Sequence, residues 1–357
     1  MGWPRRRLRA LAPAEVSDFT VRPARDGDGR ALTELAAAAA DTGAVRIAPH
    51  YLHDPLETSR VLRPEAEWAI AETEDGRVIG AGTVDFGDVE IEGEVCPCAR
   101  LSNLMVDPGH RRHGVARALT AWRLDRAGQD AVVVAGIQSG NEGSFANARK
   151  WATQIFGNVV LPAFKVARDG RPPAGLELRE PRNDDEWEQV AAGLSEFEEG
   201  WNLRIPETVA VLRERLARTP LDVPVQRQVV AVEGGEVVGG CELHEGARLQ
   251  TLVVEELPLV LRVLTAVTRT LPSDGVIRAV AAARLWYRSG RLDVGRALWA
   301  HARAVSPDVG NTVSLQFDPR GPLSQIARVR PWTPKGEIAV AVRSPVKLSE
   351  ERLLAPP

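Results

Sequence analysis

Leu104-Met105-Val106-Asp107-Pro108-Gly109-His110-Arg111-Arg112-His113-Gly114-Val115-Ala116-Arg117-Ala118-Leu119 is the most informative stretch of this 357-residue chain. An apolar strand ends at Val106, the chain turns at Pro108-Gly109, and a helix opens around Gly114. Val115, Ala118, Leu119 and Trp122 recur at helical spacing and give that helix one apolar face. Its first turn offers N–H groups that have no partner inside the helix, at the positive end of the helix dipole. Such a terminus suits an anion. Gly114 has no Cβ and Ala116 a very small side chain, so a phosphate can approach the backbone, and Arg111, Arg112 and Arg117 add positive charge.

Around this stretch the sequence alternates strands and helices. Residues 99–106 read as a strand, 112–127 as a helix, 131–137 as a buried strand and 144–156 as a second helix. Upstream, residues 68–72 and 78–84 flank Asp75-Gly76 as a hairpin. A short strand with Arg22, Arg25 and Asp28 opens the unit, followed by a helix-forming run at 31–35. The same plan recurs. Arg179, Arg182 and Asp185 stand 157 residues after Arg22, Arg25 and Asp28, and residues 229–232 and 237–241 flank Gly234-Gly235 as a second hairpin. Residues 167–175 are polar and rich in Gly and Pro, which suits a linker. The expected organisation is therefore two mixed α/β domains, 18–168 and 176–345.

The segment Arg111-Arg112-His113-Gly114-Val115-Ala116 resembles the [Arg/Gln]-x-x-Gly-x-[Gly/Ala] signature of the GNAT N-acetyltransferase superfamily. The strand ending Leu104-Met105-Val106-Asp107-Pro108 and the opening strand with Arg22 and Asp28 fit the same family. The resemblance implies an α/β fold of two GNAT-like domains, each a twisted, largely antiparallel sheet flanked by helices. It also implies an acyl-CoA cosubstrate, with acetyl-CoA first among the candidates. The backbone of Leu104, Met105 and Val106 would pair with the pantetheine arm as an added strand. The backbone of Arg112, His113, Gly114, Val115, Ala116 and Arg117 would cradle the pyrophosphate, with Arg111 beside it. Asn141 stands where the family often places an asparagine on the same arm, whereas Arg149 and Lys150 read as a solvated face.

Direct transfer to an amine needs a base for the ammonium and a proton for the departing thiolate. The position on the fourth strand where many relatives hold a carboxylate falls on or near Ser102. Asp85, Glu92 and Glu94 are the carboxylates in reach of that region. The tyrosine acid of the family has no counterpart after Asn141, leaving Ser144 or Thr153 through a water, or Tyr51 from the acceptor-binding region. His50 and His53 lie in that region as half-exposed bystanders. Asp85, Tyr51 and Ser144 are thus the catalytic candidates. A CoA thiol, with a pKa of about 8.5 like that of cysteine, tolerates a missing acid.

In the second copy two alignments are open. Residues 249–254 followed by an apolar helix at 258–271 contain no glycine where the loop belongs. Alternatively, Val294-Gly295-Arg296-Ala297-Leu298 matches Val115-Ala116-Arg117-Ala118-Leu119, and Asp293 replaces Gly114. Neither provides a CoA site, so the second domain is expected to shape the acceptor cleft or to stabilise the first.

A formal net charge of −3 disfavours nucleic acid as the main partner. The arginines at positions 5, 6, 7 and 9 read as a solvated terminus. No apolar run reaches the length of a membrane span. Cys96-Pro97-Cys98 lacks a second ligand pair, and with Cys241 reads as free thiols in a reducing cytoplasm, with no metal. A Gly-x-Gly-x-x-Gly after the first strand is absent, which excludes a dinucleotide fold. The expected partner is a small-molecule amine, and the chain is either a monomer or a homodimer. A non-catalytic acyl-CoA sensor is the alternative to an N-acyltransferase.

Overall fold

The computed structural model describes residues 18–39, 46–167, 170–256 and 272–356. The arginine-rich start and the apolar run at 258–271 lie outside the described residues. The first half contains β1 (Phe19–Pro23), α1 (Gly29–Ala38), β2 (Arg46–Tyr51), α2 (Pro55–Leu62), β3 (Ala66–Thr73), β4 (Val78–Ile91), β5 (Glu94–Val106), α3 (Val115–Ala127), β6 (Val132–Gln138), α4 (Glu142–Ala148) and β7 (Gln154–Lys165). The second contains β8 (Glu177–Arg179), α5 (Asp184–Phe197), α6 (Val209–Ala217), β9 (Gln226–Glu233), β10 (Glu236–His244), β11 (Gln250–Glu256), β12 (Val276–Ile277), β13 (Ala279–Tyr287), α7 (Leu292–Ala304), β14 (Thr312–Leu315), α8 (Ser324–Ala327) and β15 (Lys335–Arg343).

Twelve of these strands form one sheet, in the order β1-β3-β4-β5-β6-β15-β7-β14-β13-β10-β9-β8. Read from its two ends, the sheet repeats one plan, β1-β3-β4-β5-β6 against β8-β9-β10-β13-β14. The strands at the centre are exchanged. β15, from the end of the chain, runs antiparallel to β6 of the first half. β7, the last strand of the first half, runs antiparallel to β14 of the second. The sheet is mostly antiparallel, with β5–β6 and β13–β14 as its parallel pairs. The mixed α/β class is as expected, but the halves share one sheet rather than holding one each.

Local rules explain most elements. Gly76 and Gly234-Gly235 take positive φ in the hairpin turns, where a side chain would be strained. Asn183 and Asn141 cap α5 and α4 through their side-chain oxygens. The helix expected over 144–156 is a correction: α4 ends at Ala148, and Ile155 and Phe156 belong to β7. The Thr153 N–H donates to Val342 O (2.8 Å), so a partner strand nearly 190 residues away overrides the local helical pattern. The helix expected from 112 begins at Val115, because Arg112 and Gly114 are left-handed at φ 68° and 86°.

The repeat holds in chemical detail. Arg22 pairs with Asp28 at 2.7 Å, and the Arg25 N–H donates to the same carboxylate. In the second half Arg179 pairs with Glu186 at 2.7 Å, and the Arg182 N–H donates to it. Glu186, not Asp185, therefore takes the part of Asp28, one residue later and one methylene longer.

Candidate functional site

The site grows from an interruption between β4 and β5. Their register shifts between Ala81 and Thr83, and the extra residue on β5 is Asn103, left-handed at φ 52°. On the far side of β5, pairing with β6 covers only Cys98–Arg100 against Val132–Val134. Beyond that point the strands part. β4 follows β5 to Val106, and β15 follows β6 to Gln138. Among the described residues, six residues of β5, from Leu101 to Val106, thus present a main-chain edge without a strand partner, about 20 Å long at strand rise. Leu104, Met105 and Val106 stand along it, half-buried.

Because β5 and β6 are parallel, the helices that follow them start at the same edge of the sheet, where ligands of open α/β sheets gather. After β5, Asp107 organises the turn. Its carboxylate accepts from Gly109 N (2.9 Å) and His110 Nδ1 (3.0 Å) and pairs with Arg77 (2.8 Å). The His110 hydrogen bond, foremost, holds Asp107 below the usual carboxylate range. The first intrahelical bond of α3 runs from Ala118 N to Gly114 O, leaving the N–H groups of Val115, Ala116 and Arg117 ahead of it. A Cβ built on Gly114 meets nothing within 4 Å, so its surroundings are open. Buried Val115 and Leu119 anchor the helix against Gly80, where a side chain would collide with both. Arg112, His113 and Arg117 are exposed and Arg111 half-buried. Among the described residues none of these three arginines pairs with a carboxylate. The arrangement is a positively charged cradle at one end of an open strand edge, and it fits a phosphate-bearing extended ligand.

After β6, Asn141 caps α4, its Oδ1 accepting from Ser144 N at 3.0 Å. Asn147 Nδ2 donates to Thr120 Oγ1 (2.7 Å), tying α4 to α3. Asn141 and Ser144 are therefore neighbours on the open side, while Arg149 is exposed and stacks over Phe145. The other two catalytic candidates stand elsewhere. Asp85 on β4 is tied to its cross-strand partner Arg100 at 3.2 Å. Tyr51 ends β2 opposite Gln250 of β11, in a separate three-stranded sheet, β12-β11-β2, that joins the two halves. Burial raises its phenol pKa. No hydrogen bond or ion pair among the described residues links Asp85, Tyr51 and Ser144. Glu92 is a structural anchor: it accepts from Asn202 Nδ2 and Ser349 N, both at 2.7 Å. Glu94, His50 and His53 are exposed.

At the interruption Ser102, the position where the sequence offers no base, is joined by three residues that escaped the reading of the sequence, Thr83, Asn103 and Arg123. Thr83 Oγ1 and Ser102 Oγ lie 2.8 Å apart, and Asn103 Nδ2 approaches Thr83 at 3.4 Å. Beneath them Arg123 of α3, only 2% exposed, donates to the carbonyls of Thr83 (3.3 Å) and Ser102 (3.2 Å). Burial pushes its pKa down to about 10, and no carboxylate among the described residues pairs with it. Its signal was a charge four residues after Leu119 on the apolar stripe of a helix.

The second half keeps the framework and loses the cradle. β10 and β13 repeat the register shift between Gly240 and Glu242, with Arg284 left-handed at φ 48° where β5 has Asn103. Gly239 faces Val294 and Leu298 as Gly80 faces Val115 and Leu119. This settles the alignment: α7 matches α3, and 249–254 is not the counterpart of β5 but forms part of the side sheet. The loop before α7 is short, and Asp293 in its first turn pairs with Arg291 at 3.0 Å. Glu242, Glu207, Arg215 and Arg284 form a buried ionic cluster at the interruption. A cavity of about 440 Å³ lies between α5 and the end of β13, away from the Gly114 loop.

Among the described residues no helix is long and apolar enough to cross a membrane, and no cluster of His, Cys, Asp and Glu is placed to hold a metal. Cys96, Cys98 and Cys241 are free thiols.

Residues 17–151 match the family model described as acetyltransferase (GNAT) family. No curated protein matches the sequence. Among solved structures, the Saccharomyces cerevisiae N-myristoyltransferase with bound myristoyl-CoA superposes with a TM-score of 0.64 at 9% identity, over 98% of this chain and 91% of that one. A tandem GNAT protein from the clavulanic acid biosynthesis pathway gives 0.56 at 17% identity, over 93% and 100%. A GCN5-related N-acetyltransferase from Sphaerobacter thermophilus gives 0.56 at 14%, over 94% and 99%. At such identities the likeness is one of fold.

Proposed function

We propose that this protein is an acyl-CoA-dependent N-acyltransferase with one acyl-CoA site, in its first half, where residues 17–151 match the GNAT acetyltransferase family model, while the whole chain superposes on a tandem GNAT protein. The observation that carries the reading is the pairing of the unpartnered β5 edge with the Gly114 helix terminus. In that reading the pantetheine amides bond to the main chain of Leu104, Met105 and Val106, and the pyrophosphate rests on the N–H groups of Val115, Ala116 and Arg117. The thioester then lies near the Ser102–Asn103 interruption. A neutral amine attacks its carbonyl carbon, the C–S bond breaks, and CoA leaves as the thiolate. The proton shed by the nitrogen passes through solvent to the thiolate, giving the amide and free CoA thiol. Acetyl is the proposed acyl group, and the amine of a small molecule the proposed acceptor. The N-myristoyltransferase neighbour, which binds myristoyl-CoA, makes chain length the first variable to examine.

A second reading, an acyl-CoA sensor without turnover, is favoured by one observation: Asp85 and Glu92, two of the carboxylates the sequence offered as a base, are already bonded to Arg100 and to Asn202 and Ser349. Calorimetric titration with acetyl-CoA tests the shared premise. One site per chain, abolished in Ala116→Glu, is expected; no binding would sink both readings. Release of free thiol with a panel of amines then separates them, because a sensor releases none.

A further inference from the structure

A second concavity, of about 340 Å³, lies where β7 enters the second half and shares no residue with the acyl-CoA site. Its apolar floor is aromatic: Phe164 and Trp299 meet edge to face at 5.2 Å, with Ile326 beside them. Arg303 stands over both rings, 5.6 and 6.0 Å from their centroids, and its Nε donates to Lys165 O at 3.0 Å. Arg328 and Arg330 complete the rim. The turn holding Arg330 is closed by two bonds with Thr333, one in each direction.

The charge of this site is unbalanced. Three guanidinium groups line it, no acidic side chain does, and none of the three forms an ion pair among the described residues. By contrast Arg215, Arg284, Arg291 and Arg320, on the same half, all pair with carboxylates. Arg303 is half-buried, burial lowers its pKa, and among the described residues no carboxylate offsets its charge. Like charges gathered around one concavity favour an anion, and guanidinium forks favour a planar carboxylate. The aromatic floor favours a flat apolar body. The volume is at the low end for small-molecule sites, enough for one or two rings.

We propose that this concavity, formed by Phe164, Trp299, Arg303, Arg328 and Arg330, binds a small aryl carboxylate, its ring on the aromatic floor and its carboxylate against the arginines. The test is calorimetric titration of the full chain at low salt with 2-naphthoate, 2-naphthalenemethanol, acetate and inorganic phosphate. One naphthoate per chain is expected, weakened at least tenfold in Arg303→Gln and at least threefold in Arg330→Gln. Arg330 is exposed, so its variant keeps the test valid if the Arg303 variant misfolds. Saturating acetyl-CoA should leave the affinity unchanged. The proposal is overturned by absence of naphthoate binding, by affinity unchanged in the folded variants, or by displacement with acetyl-CoA. Equal binding of the uncharged alcohol, or of acetate or phosphate, would overturn it as well, because ring and anion must both be read.

Discussion

Residues 18–168 expressed alone should fail to fold, because β15 lies between β6 and β7. It meets β6 from Ile338 to Arg343 and β7 from Lys335 to Val342. Val340, Ala341 and Val342 are fully buried, and Ala339 is 4% exposed. At about 1.5–3 kcal/mol for each buried valine and about 0.8 for each alanine methyl, their loss costs about 5–8 kcal/mol. That is comparable to the net stability of an ordinary domain, about 5–15 kcal/mol. Two ladders of main-chain groups would also open, and exposed strand edges promote aggregation. The geometry supplies a rescue. Lys335 is the register partner of Pro162, so a short Gly-rich turn from residue 165 into 335–345 makes β7 and β15 a hairpin. This single-chain version should be monomeric, melt cooperatively and bind acetyl-CoA, whereas 18–168 should aggregate. Gel filtration, thermal melting by circular dichroism and calorimetry read the comparison. A soluble 18–168 fragment, melting within a few degrees of the full chain and binding one acetyl-CoA, would refute the reasoning.

Other consequences can be checked separately. Gly114→Ala should weaken acetyl-CoA binding roughly tenfold without unfolding the chain, since φ of 86° costs a side chain about 1–2 kcal/mol while the space around it is open; calorimetry beside a melting curve reads both. Glu198 is raised to about 7, chiefly by burial; native and unfolded chains are both protonated below about pH 4.5, and the native state bears the cost of its charge above pH 7. The shift is worth about 3 kcal/mol at most, and partial exposure reduces this to about 2 kcal/mol. Glu198→Gln should therefore raise the melting temperature at pH 8 and leave it unchanged at pH 4.5; equal effects at both would refute the assignment. Burial raises Cys98 to about 11 and Cys241 to about 12, so neither should react with iodoacetamide at pH 8 until the chain is unfolded, as mass spectrometry would show.

What was legible in the sequence depended on local rules. The hairpin turns, the strand into Val106 and the helix after Gly114 are written in glycine placement and apolar spacing within a dozen residues. The candidate cradle was legible for the same reason, since a helix terminus and its loop are contiguous. The strand exchange was not, because β6 and β15 are about 200 residues apart and either order of central strands satisfies the same alternation. Asp85 was named because a carboxylate occurs near the right strand, but only the register shows Arg100 opposite it. Arg123 was not singled out, although it sits on the stripe of Val115 and Leu119.

The exchange also accounts for a second copy that keeps its framework after losing its cradle. β15 fills the gap beside β6, and β11 continues the side sheet from β2. Neither contribution needs a glycine loop or a free helix terminus, so Asp293 and the buried Glu242–Arg215 cluster cost the first half nothing. Loss of Gly239, by contrast, would drive a side chain into Val294 and Leu298 and shift α7 against the sheet that holds β14 and β7. The constraint on the second half is therefore on its packing rather than on its loop, which is the pattern its residues display.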